Sequence, residues 1–262
     1  MVELAALIDS LRRITAVGIR PQETDEADGW LGAGLAAGRY HELFATDPDD
    51  VASGAGFAVA TAMIAGAMPL FWLRTVAVDR AGGRLHGGGL AELGCDPAAI
   101  TMAVVADEKA LLKAAADAAR CPGIGTLLIE AWGRAPGIDL TATRRLMLAA
   151  EASGVTTICL RVDAEPSPSA AATRWRIAAA PSVPLAANAP GGPAFLVECL
   201  RRRGAAAGGH WLVEWNRDAR NFVPLTDPAA GRVAAPLPGA SLPLVAGGAA
   251  ARHPRTPVRR TG

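Results

Sequence analysis

At 262 residues and 51% hydrophobic content, the chain can bury one substantial core and a small appendage. A formal charge of +1 argues against a strong general polyanion binder, although local basic patches stay open. Gly, Pro and charges interrupt every apolar run before it reaches the length of a membrane span, and Met1-Val-Glu-Leu shows no signal-peptide pattern, so a cytoplasmic protein is expected.

In chain order, Leu4, Leu7, Ile8, Leu11 and Ile14 form one apolar stripe, which predicts an amphipathic helix within residues 1–20. A polar linker follows over 21–31, including Pro21-Gln-Glu-Thr-Asp-Glu-Ala-Asp28. A helix set apart in this way either docks back on its own domain or packs on another chain, so its stripe is a candidate docking surface. The core is expected over 32–222. Its predicted strands are 39–45, 69–76, 100–105, 126–129 and 155–161, and its predicted helices are 54–67, 88–93, 108–119 (capped by Asp107) and a helix to 152 capped by Thr141 or Thr143. Strands alternating with helices predict an α/β fold with a mostly parallel sheet covered on both faces. After a loop over 162–172 the pattern loses its helices. Segments 173–178, 194–202 and 211–215 read as antiparallel strands closing one edge. The Pro/Gly/Arg-rich stretch 223–262, with Arg252, Arg255, Arg259 and Arg260, reads as a disordered tail.

The strand at 39–45 leads through Thr46-Asp-Pro-Asp-Asp50 to Ser53-Gly-Ala-Gly56 at the opening of a helix. A phosphate loop at such a junction carries Gly-Lys-Thr, so that lysine holds the β- and γ-phosphates and threonine holds magnesium. Here Ser53, Gly54, Ala55 and Gly56 supply neither group. The only lysines, Lys109 and Lys113, lie in another helix, and Asp47, Asp49 and Asp50 stand where phosphate oxygens need positive charge.

Several stretches resemble known proteins. Gly38-Arg-Tyr-His-Glu-Leu resembles the strand before the RecA phosphate loop, and Asp107-Glu-Lys-Ala-Leu-Leu resembles the helix after its third strand. Leu127-Leu-Ile-Glu130 resembles the strand that ends in the Walker B acid. Gly83-Arg-Leu-His-Gly-Gly-Gly-Leu-Ala-Glu-Leu-Gly, the stretch 139–155 and Ala170-Ala-Ala-Thr-Arg-Trp-Arg-Ile resemble the ImuA family, RecA-like accessory proteins of the bacterial inducible mutagenesis cassette. The resemblance runs from about residue 32 to 215. It implies a RecA-like sheet with a degenerate phosphate loop and a role in damage-induced translesion synthesis. It also implies an ImuB-type inactive Y-family polymerase-like partner and, through it, an error-prone C-family DNA polymerase. RecA or a second copy are further partners to consider. No cofactor, metal or membrane is implied.

Glu130 has two readings, a magnesium-orienting acid or a polar residue at a strand end, and the missing lysine and threonine favour the second. Leu160 stands where such enzymes carry a phosphate-sensing amide. The two DNA-binding loops of RecA correspond to 131–138 and 162–169. Trp132 with Arg134 could stack on a base, whereas Asp163 and Glu165 would repel phosphates. Arg144, Arg145, Arg174, Arg176, Arg201, Arg202 and Arg203 form a candidate patch for DNA or an acidic partner, or simply a solvated face. The four cysteines read as buried thiols, and the four histidines suggest no metal cluster. Two other functions stay open: an ATPase in which Arg39 or Arg74 replaces the lysine, and a SulA-like division inhibitor of related fold. The leading expectation is a non-enzymatic adaptor.

Overall fold

The structure is a computed structural model in which residues 35–204 and 208–225 are described. The expected helix with Leu4, Leu7, Ile8, Leu11 and Ile14, the linker and the tail beyond residue 225 lie outside these residues. The elements are β1 (Tyr40–Ala45), α1 (Val51–Ile64), β2 (Leu70–Thr75), α2 (Val76–Gly82), α3 (Gly87–Glu92), β3 (Ile100–Val105), α4 (Glu108–Ala118), β4 (Thr126–Trp132), α5 (Leu140–Ser153), β5 (Thr156–Val162), β6 (Thr173–Ala180), β7 (Ala194–Arg202), β8 (His210–Asn216) and β9 (Asn221–Pro224). They form one sheet in the order β3-β2-β4-β5-β1-β6-β7-β8-β9. β1 to β6 run parallel, and β7 to β9 extend the sheet antiparallel.

Burial on both faces explains the continuous apolar runs. β4 and β5 are buried along almost their whole length. Alternation along the strands sends Leu43, Leu128, Ile158 and Leu160 to the face covered by α1 and α3. Tyr40, Leu127, Ile129 and Cys159 go to the face covered by α4 and α5. α1 is apolar or small nearly all round because it is enclosed. Its Phe57 stacks on Phe222 of β9 at 5.0 Å and meets Phe195 of β7 edge-on, so the antiparallel extension curls against it.

Local chemistry sets the element ends. Asp107 accepts from the Ala110 amide at 2.8 Å and caps α4 as expected. α5 is capped by Asp139, which accepts from Ala142 at 2.7 Å, rather than by Thr141 or Thr143. The buried Thr143 hydroxyl instead donates back to the carbonyls of Asp139 and Leu140 and accepts from Ala170. Gly154, at φ 81°, ends α5 in the left-handed region open to glycine.

Four differences from the sequence reading matter. α1 begins at Val51, three residues before the expected start, so Ser53–Gly56 lie inside the helix. β4 continues through Glu130 to Trp132, so this acid is not at a strand end. α2 was not expected. β6 is parallel to β1, and only its other edge is antiparallel. In addition, β9 draws Val223 and Pro224, assigned from sequence to the tail, into the sheet.

Candidate functional site

The connection from β1 to α1 is only residues 46–50, shorter than the sequence suggested. Pro48–Asp50 form one 3-10 turn. Asp47 caps it by accepting from the Asp49 amide at 2.9 Å, and the Asp50 amide bonds the Asp47 carbonyl. Asp50 does not cap α1. Its Oδ1 accepts from Ala179 of β6 at 2.7 Å and ties the connection to the sheet. The Asp49 amide is thus taken by the Asp47 carboxylate and the Asp50 amide by a backbone carbonyl, and the acids of the connection are the charge an incoming phosphate would meet. Gly54 is a packing residue: a Cβ there would lie 2.8 Å from Leu160 Cδ1. Ala55 is half-buried against the same core, and Gly56 faces open space.

Leu160 separates this region from Glu130. In strand register, Leu43 sits opposite Leu160 and Leu160 opposite Glu130, so one row of side chains on the α1 face runs Leu43, Leu160, Glu130. Glu130 is buried, and each of its oxygens accepts an indole N–H. Trp72 Nε1 lies 2.9 Å from Oε2 and Trp132 Nε1 lies 2.8 Å from Oε1. The Arg74 guanidinium stands 3.9 Å away and also binds Asp79 and the Gly83 carbonyl. Gly82 of α2 packs against this cluster, where a Cβ would sit 3.0 Å from the Trp132 ring. Trp132, considered from sequence as a stacking platform, is therefore half-buried and anchors Glu130.

Neither cation proposed to replace the missing lysine reaches the connection. Arg74 is held by Asp79 and Glu130. Arg39 pairs with Glu151 of α5 at the opposite end of β1, roughly 20 Å from the connection along the strand.

The seven patch arginines separate. Arg174 is buried, pairs with Glu42 at 2.8 Å and donates to Ser169 Oγ at 2.6 Å. Strand pairing put it there, since Glu42 of β1 is its register partner. Arg176 pairs with Glu198 of β7. Arg202 lies over the Trp175 ring at 5.9 Å. Arg201 and Arg203 are exposed, and Arg203 approaches Met147 of α5 at 3.5 Å. Arg144 and Arg145 are exposed on α5. Arg145 borders a shallow groove of about 530 Å³ with Arg120 and Leu148.

At the carboxyl ends of β4 and β5, loops 133–139 and 163–168 enclose a second crevice of about 640 Å³. Arg161, not singled out from sequence, is 5% exposed and lines it. Its Nη2 donates to the Gly133 carbonyl at 3.3 Å, and no carboxylate of the described residues forms an ion pair with it.

All four cysteines are unbridged and buried. Burial pushes the Cys159 thiol up to about 12, so it is not a thiolate at neutral pH. His41 is buried in a hydrogen-bond chain: Nε2 is 2.9 Å from the Ala36 carbonyl, and Nδ1 is 2.7 Å from Thr173 Oγ1. Trp175 Nε1 donates to that same oxygen. The chain closes with neutral imidazole carrying its proton on Nε2. Among the described residues no group of His, Cys, Asp and Glu could hold a metal ion, and no helix is long and apolar enough to cross a membrane.

No protein-family model matches the chain. Over 203 residues it is 34% identical to the protein ImuA of Caulobacter vibrioides, in each of two strains, covering 70% of this chain and 77% of that protein. The crystal structure of the RadB recombinase superposes with a TM-score of 0.51 at 12% identity, over 76% of this chain and 96% of that one. This second likeness is one of fold, a RecA-like topology.

Proposed function

The chain belongs to the ImuA family, and from that premise we propose that it works without nucleotide chemistry, as a RecA-like adaptor in damage-induced, error-prone translesion DNA synthesis. It bridges a catalytically inactive Y-family polymerase-like protein and, through it, an error-prone C-family polymerase. The observation that carries the non-enzymatic part is the state of Glu130. An acid that orients magnesium must offer its oxygens to the metal and its waters. Both oxygens here accept indole N–H groups from Trp72 and Trp132, with Arg74 beside them. Hydrogen bonds to a charged group are worth about 1.5–3 kcal/mol each, so releasing Glu130 to a metal is costly. The acids in the β1–α1 connection, and Ala55 and Gly56 inside α1, support the same reading.

What remains of the ancestral fold is a rigid sheet with apolar side chains left in solvent. Leu140 and Leu148 on α5 and Val104 on the edge strand β3 are 52%, 53% and 44% exposed. Such positions, with the arginines of α5, suit protein docking better than catalysis. Calorimetric titration with ATP and magnesium tests the non-enzymatic half. No saturable heat is expected up to millimolar nucleotide, whereas a micromolar dissociation constant would contradict it.

A further inference from the structure

We infer that the crevice between loops 133–139 and 163–168 receives a peptide segment of a protein partner, anchored by one carboxylate on Arg161; the inference rests on the adaptor reading and names one of its contacts. Three arginines are buried among the described residues, and two have acids beside them. Arg74 has Asp79 and Glu130, and Arg174 has Glu42. Arg161 has none. Its hydrogen bond to the Gly133 carbonyl is long, at 3.3 Å. Buried charges in folded proteins are paired, because an unpaired one loses its hydration without compensation. A buried guanidinium without a carboxylate, lining an open crevice, is a receptor waiting for an anion.

The surroundings narrow the anion. The N-terminus of α5, a helix of 14 residues, lines the same crevice at Asp139 and Leu140 and adds positive potential. Asp163 and Glu165 also line the crevice and are exposed. Together with Asp139 they disfavour a polyanion such as a nucleic acid strand or a nucleotide triphosphate. A ligand with one carboxylate and neighbouring cationic groups satisfies both signs, with its carboxylate on Arg161 and its cations toward Asp163 and Glu165. At about 640 Å³, with Pro136, Ile138 and Leu140 in its lining, the crevice has room for side chains rather than a lone ion. A short peptide containing Glu or Asp beside Arg or Lys and an apolar residue meets these requirements.

The probe is the capped tetrapeptide Arg-Glu-Leu-Arg, titrated into the isotope-labelled full chain and followed by amide resonances. Controls are the same peptide with Gln in place of Glu and a single-stranded oligonucleotide. The expected result is a saturable millimolar response of the Gly133 and Leu140 amides to the Glu peptide. The Gln peptide should bind at least tenfold more weakly. Arg161→Met should lose the response while melting at the same or a higher temperature than the parent, because it removes an uncompensated buried charge. Leu140→Glu, at an exposed rim position, should weaken binding without reaching the core. Equal responses to the two peptides, or tighter binding of the oligonucleotide, would overturn the inference. So would a melting temperature several degrees lower in Arg161→Met with peptide binding retained, which would make the arginine structural. A parent chain that captures the polymerase-like partner but ignores the peptide refutes the crevice alone. A chain that binds the peptide but not that partner refutes the adaptor reading alone.

Discussion

Glu130→Ala should destabilise the fold by about 3–5 kcal/mol, the cost of breaking a buried hydrogen-bonded charge network from one side. The substitution leaves two indole N–H groups without acceptors, one of them on the buried Trp72, and takes from Arg74 one of its two carboxylates. For a domain of this size the loss corresponds to a fall in melting temperature of roughly 10 °C. Glu130→Gln should also be costly, since its amide nitrogen turns a donor toward another donor. An acid kept for magnesium behaves differently, because its removal abolishes turnover while leaving stability little changed or improved. Melting of the two variants within 2 °C of the parent would show that Glu130 is not the structural anchor described here.

Acidification should destabilise the protein through His41. Burial holds the imidazole down at about 4 against its ordinary 6.5; the Ala36 carbonyl partly opposes the shift, and Arg39 adds to it. The folded state resists the proton that the unfolded chain accepts. The contribution is therefore complete above about pH 6.5, falls as pH drops, and is lost by about pH 4. A gap of this size is worth about 3 kcal/mol at 1.36 kcal/mol per unit. The hydrogen-bond chain gives the structural reason. A proton on Nδ1 would face the Thr173 hydroxyl, whose own proton points at that nitrogen while Trp175 donates to its oxygen. Urea unfolding at pH 7.5 and 4.5 should show the parent losing about 2.5 kcal/mol more than His41→Gln, because the carboxylates titrate in both proteins. Equal losses would mean that His41 is charged or exposed in the folded state.

The parallel half of the fold was legible because its central strands β4 and β5 are buried on both faces, and the near-continuous apolar runs at 126–129 and 155–160 reflect this. The helix cap at Asp107 was equally plain. α2 was missed because Val-Ala-Val continues the β-branched look of β2. What turns the chain there is Thr75, whose hydroxyl accepts from Val78, and the helix buries only Val78. β9, at four residues, was too short to show a period. The start of α1 was misplaced because Ser53-Gly-Ala-Gly56 mimics the end of a phosphate loop. Asp47 followed by Pro48 was the better signal of a turn leading into a helix. For the candidate site, the absence of lysine and threonine was readable, but the surroundings of Glu130 were not. Trp72 lies 58 residues away, and only strand pairing brings it to the acid. The same non-local pairing buries Arg174 on Glu42, whereas alternation along the strand could say only that Arg174 and Arg176 share a face. Arg161 gave no sign at all, since its distinction is the lack of an acid beside it in three dimensions.

The most direct test of a nucleotide-independent adaptor is the affinity of the full chain for the inactive Y-family polymerase-like protein, measured with and without ATP and magnesium. The account predicts a stable complex whose dissociation constant is the same in both conditions, within a factor of two. Failure to form the complex, or an affinity that changes tenfold or more with nucleotide, would contradict it.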